Sequence, residues 1–245
     1  MRRSVAAGAV LAAVLLAGCG GGDTGGSAKP NASATTGAGQ GEQGGQGKPS
    51  ATGDGKPKTD PGKPAAPPLT DAQLSTALLN LADISGYMFQ EWPISPRDTL
   101  KTSPAECQPI FEITIPSKTP APKAAKGQMA LSMMGPTNGS GFTVVLLSYE
   151  QSDAEKLLGN LRTALEKCTA YEGGAPARTT VKPLKAPDAG DEAVAFHLSS
   201  ANAPSSYVTV VRRGSTAALF LTAPYDKKPV EPPKELIDAQ VKKLG

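Results

Sequence analysis

Histidine and cysteine are scarce in this chain: among its 245 residues there are one histidine, His197, and three cysteines. A nucleophilic hydrolase needs a base beside its Ser, Cys or Thr, and the sequence contains neither a Ser-x-x-Lys nor a Gly-x-Ser-x-Gly motif. Glycine loops that cradle phosphate are also missing, because the glycines are concentrated between residues 20 and 68. We therefore predict no catalytic residues and no cofactor.

Metal-ligand patterns are missing as well. The sequence has no Cys-x-x-Cys spacing, and a single histidine cannot complete a set of soft ligands. Asp188, Asp191 and Glu192 form an acidic stretch, but three carboxylates fall short of the six to eight oxygens that Ca²⁺ takes. We interpret this stretch as a solvated turn, and we predict no metal site and a partly exposed sheet position for His197.

An excess of positive charge is lacking in the part of the chain that can fold. The formal net charge is +3, but residues 69–245 contain 18 Lys and Arg against 18 Asp and Glu. A neutral domain has no electrostatic footprint for DNA or RNA. We expect no nucleic acid partner.

The longest hydrophobic run, Val5–Ala17, is shorter than the ~20 apolar residues that a membrane-spanning helix needs. Arg2 and Arg3 precede it, as in a secretory signal. The run ends in Leu16-Ala17-Gly18-Cys19, which resembles the lipobox of the bacterial lipoprotein family. The alternative is an ordinary signal peptide with an incidental cysteine.

The lipoprotein resemblance implies a signal peptide over residues 1–18, cleavage between Gly18 and Cys19, and a diacylglyceryl thioether on Cys19. Acyl chains contribute ~0.8 kcal/mol per buried CH₂, so two or three chains hold a protein firmly on a bilayer. We expect an extracytoplasmic protein on the outer face of the plasma membrane, with the membrane as its partner through Cys19.

Two cysteines remain once Cys19 is assigned to lipid. In an oxidising compartment, Cys107 and Cys168 form an even pair with one pairing available, which predicts a disulfide. Two reduced thiols are the alternative. Residues 19–68 lack aromatic and large aliphatic side chains and cannot bury enough apolar surface to fold. We predict a disordered tether there, spanning on average about 35–40 Å.

The folded head is predicted over residues 69–245. Helical spacing and cap residues predict a helix from Thr70 to near Gly86, with Leu81 on its apolar side, and a helix over 152–168 capped by Ser152. Ser103 begins a short kinked helix, for which a strand is the alternative. A last helix follows Pro232 and Pro233.

Alternating apolar residues predict the strands. Residues 129–133 and 142–149 form a hairpin whose second strand is central, and further strands cover 180–184, 194–198, 207–212 and 217–221. Residues 114–126 are predicted as loop. Residues 87–93 are also predicted as loop, whose large side chains close the core or line a cleft. The fold class is α+β: a central antiparallel sheet of about five or six strands, three or four helices and one disulfide.

Several short motifs follow one another in order along the chain: Gly86-Tyr87, Cys107, Cys168, Gly190-Asp191-Glu192-Ala193 and Arg212-Arg213-Gly214. This order resembles the PknH-like extracellular sensor domains of actinobacteria, found in a serine/threonine kinase and in free-standing lipoproteins. The resemblance implies a secreted α+β domain with a cleft for an unidentified ligand. The kinase carries two disulfides, whereas this chain has cysteines for one bridge and no kinase domain.

The resemblance implies that Cys107 and Cys168 form the shared bridge and that four recurrent polar positions are candidates for ligand contact. For those four, a turn or strand-end role is the alternative. Two large aromatic residues complete the candidate set. The ligand-binding candidates are Tyr87, Trp92, Tyr149, Asp191, Arg212 and Arg213.

The leading expectation is a non-catalytic sensor or binding domain for a small molecule or cell-wall fragment. The alternative is a protein-interaction module of a cell-envelope complex, which would use an exposed strand edge or apolar patch. A hydrolase built on Asp191 and Glu192 is ranked third.

Overall fold

The computed structural model describes residues 67–245, except 99, 116–119, 174, 202 and 224–228. The predicted signal peptide, Cys19 and the tether up to residue 66 lie outside the described residues. Within them, none of the helices has the length and apolar character needed to cross a membrane. The described part confirms the α+β class, with one antiparallel sheet and helices on both of its faces.

The sheet of the described part has eight strands in the order β1-β2-β3-β8-β7-β6-β5-β4. The strands are β1 Tyr87–Trp92, β2 Ala124–Ser132, β3 Gly141–Ser148, β4 Ala170–Gly173, β5 Ala175–Leu184, β6 Glu192–Ser200, β7 Ala203–Arg213 and β8 Thr216–Ala223. The α-helices are α1 Asp71–Ala77, α2 Gln108–Thr114, α3 Gln151–Lys167 and α4 Lys234–Lys243, and 3-10 turns cover Ala105–Cys107 and Gly135–Thr137.

The predicted count of five or six strands was wrong, because β1 and β4 were not recognised. Residues 87–92 were predicted as loop, but they pair with β2 in an unbroken register from Tyr87 opposite Ser132 to Trp92 opposite Gly127. The predicted loop 114–126 also ends earlier, since β2 begins at Ala124. The predicted β2–β3 and β7–β8 hairpins are confirmed, and β3 lies inside the sheet between β2 and β8.

Each face of the sheet is covered by two helices. Because side chains alternate along a strand, Phe196 and Val210 face α2 and α3, whereas Phe142 and Phe220 face α1 and α4. The central strands are therefore apolar on both sides, as expected for strands that are buried on both faces. Val194, Phe196 and Leu198 point into the core as the alternation predicted.

The first helix starts as predicted but ends earlier. The capping box of Thr70 and Gln73 is confirmed. The helix stops at Ala77 rather than near Gly86, and Leu81 is 71% exposed instead of lying on an apolar face. Carbonyl groups at the C-terminal end of α1 accept hydrogen bonds from side chains of α4. Gln240 Nε2 donates to Ala77 O at 2.8 Å, and Lys243 Nζ donates to Leu78 O at 2.7 Å.

Unlike the cap at Thr70, the predicted helix caps at Ser103 and Ser152 were wrong. Ser103 pairs with Glu172 through two backbone hydrogen bonds of 2.8 Å and caps nothing, because the helical turn begins after Pro104. The short kinked helix itself is confirmed as a 3-10 turn followed by α2, and the strand alternative was wrong. In α3, Glu150 rather than Ser152 occupies the N-cap. The final helix begins after Pro233 as predicted.

The predicted disulfide is present. Cys107 and Cys168 are both buried and joined, with Cα atoms 5.2 Å apart. Cys107 immediately precedes α2, and Cys168 follows the last residue of α3. The bridge therefore fixes the start of α2 to the end of α3, and the alternative of two free thiols was wrong.

Candidate functional site

Three of the six candidate residues lie together where β6 starts and β7 ends. Arg212 is opposite Glu192 in the register and only 2% exposed. Its Nη2 lies 2.7 Å from Glu192 Oε1, and its Nη1 lies 3.1 Å from Asp191 Oδ2 and 3.1 Å from Gly214 O. Every nitrogen of the guanidinium group donates to a group of this chain.

The same cluster extends to α3. Glu192 Oε2 lies 2.6 Å from Arg162 Nη2, and Asp191 also pairs with Arg213 Nη1 at 3.2 Å and accepts the Gly214 N–H at 2.7 Å. Buried charges persist when they are paired and hydrogen-bonded. The arrangement joins α3, the β7–β8 turn and the start of β6, and it uses four of the five N–H donors of Arg212 within the chain.

Tyr87 lies on the opposite face of the sheet, against α1 and α4. Its ring stacks on Phe89 with centroids 6.2 Å apart. Burial, with a contribution from the nearby Glu235 carboxylate, raises the pKa of Tyr87 to about 12. Tyr87 therefore packs in the core next to α4 and is not part of the clefts described below.

Tyr149 lines a cleft between α2 and α3, which we call the Tyr149 cleft. Its volume is about 240 Å³. Ile113 from α2 and Leu147 from β3 are both buried and give it an apolar floor. Pro109, Pro120 and Leu157 add to this apolar surface, and the polar residues of the lining are Tyr149, Glu112, Asp153, Lys156 and Asn160.

The Tyr149 hydroxyl is the unusual group of this cleft. Tyr149 is 5% exposed, and burial raises the pKa of its phenol well above the usual range. Its backbone N–H donates to Ser215 O, and its hydroxyl makes no hydrogen bond to the described residues. The hydroxyl oxygen is not among the buried side-chain atoms that lack a partner, so it reaches the open space of the cleft. A phenol that is buried except at its hydroxyl can form a hydrogen bond with a ligand in that space.

Trp92 lines a second depression on the same face, near the C-terminal end of α2, which we call the Trp92 groove. Its volume is about 270 Å³, and Trp92 remains 46% exposed at its side. The floor is sheet surface contributed by Val145 and Leu219, and Ile115 lies beside it. The structure thus places Trp92 and Tyr149 in two different concave sites of the same face.

The two edges of the sheet differ. Beside β4, the backbone of Ser103 pairs with Glu172 and covers that edge. At the other end β1 is the outermost strand, and no described residue pairs with its outer side. Met88 is 55% exposed on the same face as Trp92. The β1 edge is therefore an unpaired strand edge that carries the exposed apolar side chains of Met88 and Trp92. Such an edge can bind an extended peptide, and it promotes aggregation when it is left unprotected.

The remaining titratable candidates are His197, Asp191 and Glu192. His197 is half-buried on the α1/α4 face, with its ring 4.5 Å from that of Tyr207. In the described residues there is no group of three His, Cys, Asp or Glu side chains that could hold a metal ion. Asp191 and Glu192 are both bound to arginines.

Glu112 and Asp153 were not among the sequence candidates. They reach the Tyr149 cleft only because α2 packs beside α3, and the one sequence signal for that neighbourhood was the predicted disulfide. Nothing in the local sequence marks Glu112, whose Oε1 accepts a hydrogen bond from Gln108 Nε2 at 3.0 Å.

No protein-family model matches the chain, and a search of curated proteins finds no match. Solved structures similar to it include the extracellular domain of PknH from Mycobacterium tuberculosis, at 13% identity and a TM-score of 0.48, covering 72% of this chain and 97% of that one. An uncharacterised protein from Mycobacterium smegmatis, the Rv0999 ortholog, matches at 17% identity and a TM-score of 0.36, covering 70% of this chain and 93% of that one. At such identities and TM-scores, neither likeness supports an inference about function.

Proposed function

We propose that the chain is a lipoprotein, anchored on the outer face of the plasma membrane by acyl chains on Cys19, whose head is a non-catalytic sensor or ligand-binding domain. The observation that carries the binding function is the Tyr149 cleft, with its apolar floor and unpartnered phenol. The anchor rests on the lipobox and the hydrophobic run before it. The buried disulfide supports an oxidising location.

The geometry of the cleft favours binding over chemistry. Its floor is apolar and its few polar groups converge from two helices and a strand end, as in small-molecule sites generally. The single histidine lies on the opposite face of the sheet, so it cannot act as a base for a group bound near Tyr149.

Blocking the cleft tests the binding function. Asn160 lines the cleft from the exposed side of α3, and Thr163 is exposed on the same helix outside the lining. In a thermal-shift screen against cell-envelope metabolites, a compound that stabilises the parent chain should lose its effect on Asn160→Trp and keep it on Thr163→Trp. A compound that stabilises all three chains equally would show that binding occurs elsewhere.

Replacing Cys19 tests the anchor. Cys19→Ser removes the thiol that would carry the diacylglyceryl group, so the protein should be found in the medium or remain unprocessed. Fractionation of membrane and medium, followed by mass measurement of the N-terminus, distinguishes these outcomes. Unchanged retention of Cys19→Ser in the membrane would contradict the anchor.

A protein-interaction module is the second candidate function, and the open β1 edge with Met88 and Trp92 is the observation that favours it. The occupant we propose is an extended segment of an envelope protein that adds a strand beside β1. A photo-crosslinking residue at position 88 should then capture that protein, and Trp92→Lys should abolish the product. Equal capture from the exposed position 178 on β5 would argue against a specific edge contact.

A further inference from the structure

We infer that the Tyr149 cleft takes a small amphiphile whose polar group is a cation, an amine on an apolar body, in preference to an anion. The inference rests on the proposed function in that it takes the cleft to be a ligand site. It adds the charge, the polarity and the size of the ligand.

The polar contact inside the cleft is supplied by Tyr149. A phenol hydroxyl can donate one hydrogen bond and accept others. A phenol is protonated at neutral pH, and burial raises the pKa of this one further, so it contributes no charge of its own. An ammonium group, an uncharged hydroxyl or a carboxylate can each form a hydrogen bond with it, so the phenol by itself does not decide between a cation and an anion.

The charge preference comes from the mouth of the cleft. The lining contains two carboxylates, Glu112 and Asp153, and one ammonium group, Lys156. Lys156 Nζ lies 3.2 Å from Asp153 Oδ1 and offsets that charge. In the described chain no cation lies within ion-pair distance of Glu112, whose recorded partner is the neutral Gln108 amide. The described residues of the lining thus have a net charge of about −1, which attracts a cation and repels an anion.

The size limit follows from the volume and from the helices that enclose it. The cleft volume is about 240 Å³, whereas pockets for drug-sized ligands have about 300–1,000 Å³. The cleft is below that range and suits a single ring or a short chain. The Cys107–Cys168 bridge joins α2 to α3, so the two helical walls cannot separate freely to admit a larger body.

Three probes of the same shape test the inference: benzylamine, benzyl alcohol and benzoate. Each is titrated at neutral pH and low salt into the chain that begins at position 19 and carries Cys19→Ser. Binding is followed by the methyl NMR signals of Ile113 and Leu147, at the floor of the cleft. We expect benzylamine to bind about tenfold more tightly than benzoate, with benzyl alcohol between them.

Matched variants assign the effect to its residues. Glu112→Gln should bring benzylamine within about twofold of benzyl alcohol, whereas Glu166→Gln, an exposed α3 carboxylate outside the lining, should leave the difference intact. Tyr149→Phe should weaken benzylamine and benzyl alcohol by about two- to tenfold.

The outcomes separate the ligand class from the site. If benzoate binds as tightly as benzylamine and Asn160→Trp blocks all three probes, the cleft is a binding site and the inferred cation preference is wrong. If no probe shifts the Ile113 and Leu147 signals, both the inference and the cleft as the ligand site are overturned.

Discussion

Removal of the Cys107–Cys168 disulfide should lower the free energy of unfolding by about 4 kcal/mol. The bridge links residues 61 positions apart, and in the chain-entropy model a loop of that length constrains the unfolded chain by this amount. Both cysteines are buried, so the substitutions Cys107→Ala and Cys168→Ala leave no unpaired hydroxyl in the core. A loss of about 4 kcal/mol is a large part of the 5–15 kcal/mol that stabilises a typical domain.

Urea unfolding of the double variant and its parent, both with Cys19→Ser, measures the difference. The m-value should rise in the variant, because the unfolded chain expands once the bridge is gone. Reduction of the parent with dithiothreitol serves as the control and should reproduce the variant's stability. A difference below about 1 kcal/mol would refute the argument that the bridge stabilises the fold by constraining the unfolded chain.

Three further predictions test the core and the ion cluster by urea unfolding of five substitutions. Arg212→Met should cost about 3–5 kcal/mol, because it takes from the buried Glu192 carboxylate its buried partner, whereas the exposed Arg213→Met should cost less than about 1 kcal/mol. Gly190→Ala should destabilise more than Gly214→Ala: both have positive φ, but at position 190 a Cβ would lie 2.4 Å from Arg212 O. The pKa of Tyr87 rises from 10.0 to about 12 on folding, so stability should fall as the pH rises above 10, and Tyr87→Phe should reduce that slope.

The elements that could be predicted from the sequence are those whose signals are local. The capping box of Thr70 and Gln73 marks the start of α1, and alternation at Val194, Phe196 and Leu198 marks β6. The disulfide followed from the number of cysteines. The capping box and the alternation depend on residues that are neighbours in the chain, so their physical cause can be read from a short window, whereas the disulfide required only a count of the cysteines.

The elements that could not be predicted depend on contacts between distant segments. β1 forms because residues 87–92 find β2 some 40 positions later, and their own pattern of large side chains does not alternate cleanly. The end of α1 is set by Gln240 and Lys243 of α4, at the other end of the head.

In the candidate site, too, some features have local sequence signals and others depend on contacts between distant segments. Tyr149 and Trp92 were chosen as large aromatic residues, but their separation into two concave sites results from the placement of α2 on the sheet. The ion cluster could be predicted more nearly from the sequence, because the acidic pair Asp191-Glu192 and the basic pair Arg212-Arg213 come opposite each other once β6 and β7 pair. What the sequence did not indicate is that every nitrogen of the Arg212 guanidinium group donates to a group of this chain.

Native mass spectrometry provides the most direct test of the Tyr149 cleft as a ligand site. The Cys19→Ser chain is incubated with a small-molecule extract of the cell envelope, alongside Asn160→Trp and Thr163→Trp. The account predicts a bound small molecule on the parent and on Thr163→Trp that is absent from Asn160→Trp. The same adduct on all three proteins, or on none of them, would contradict it.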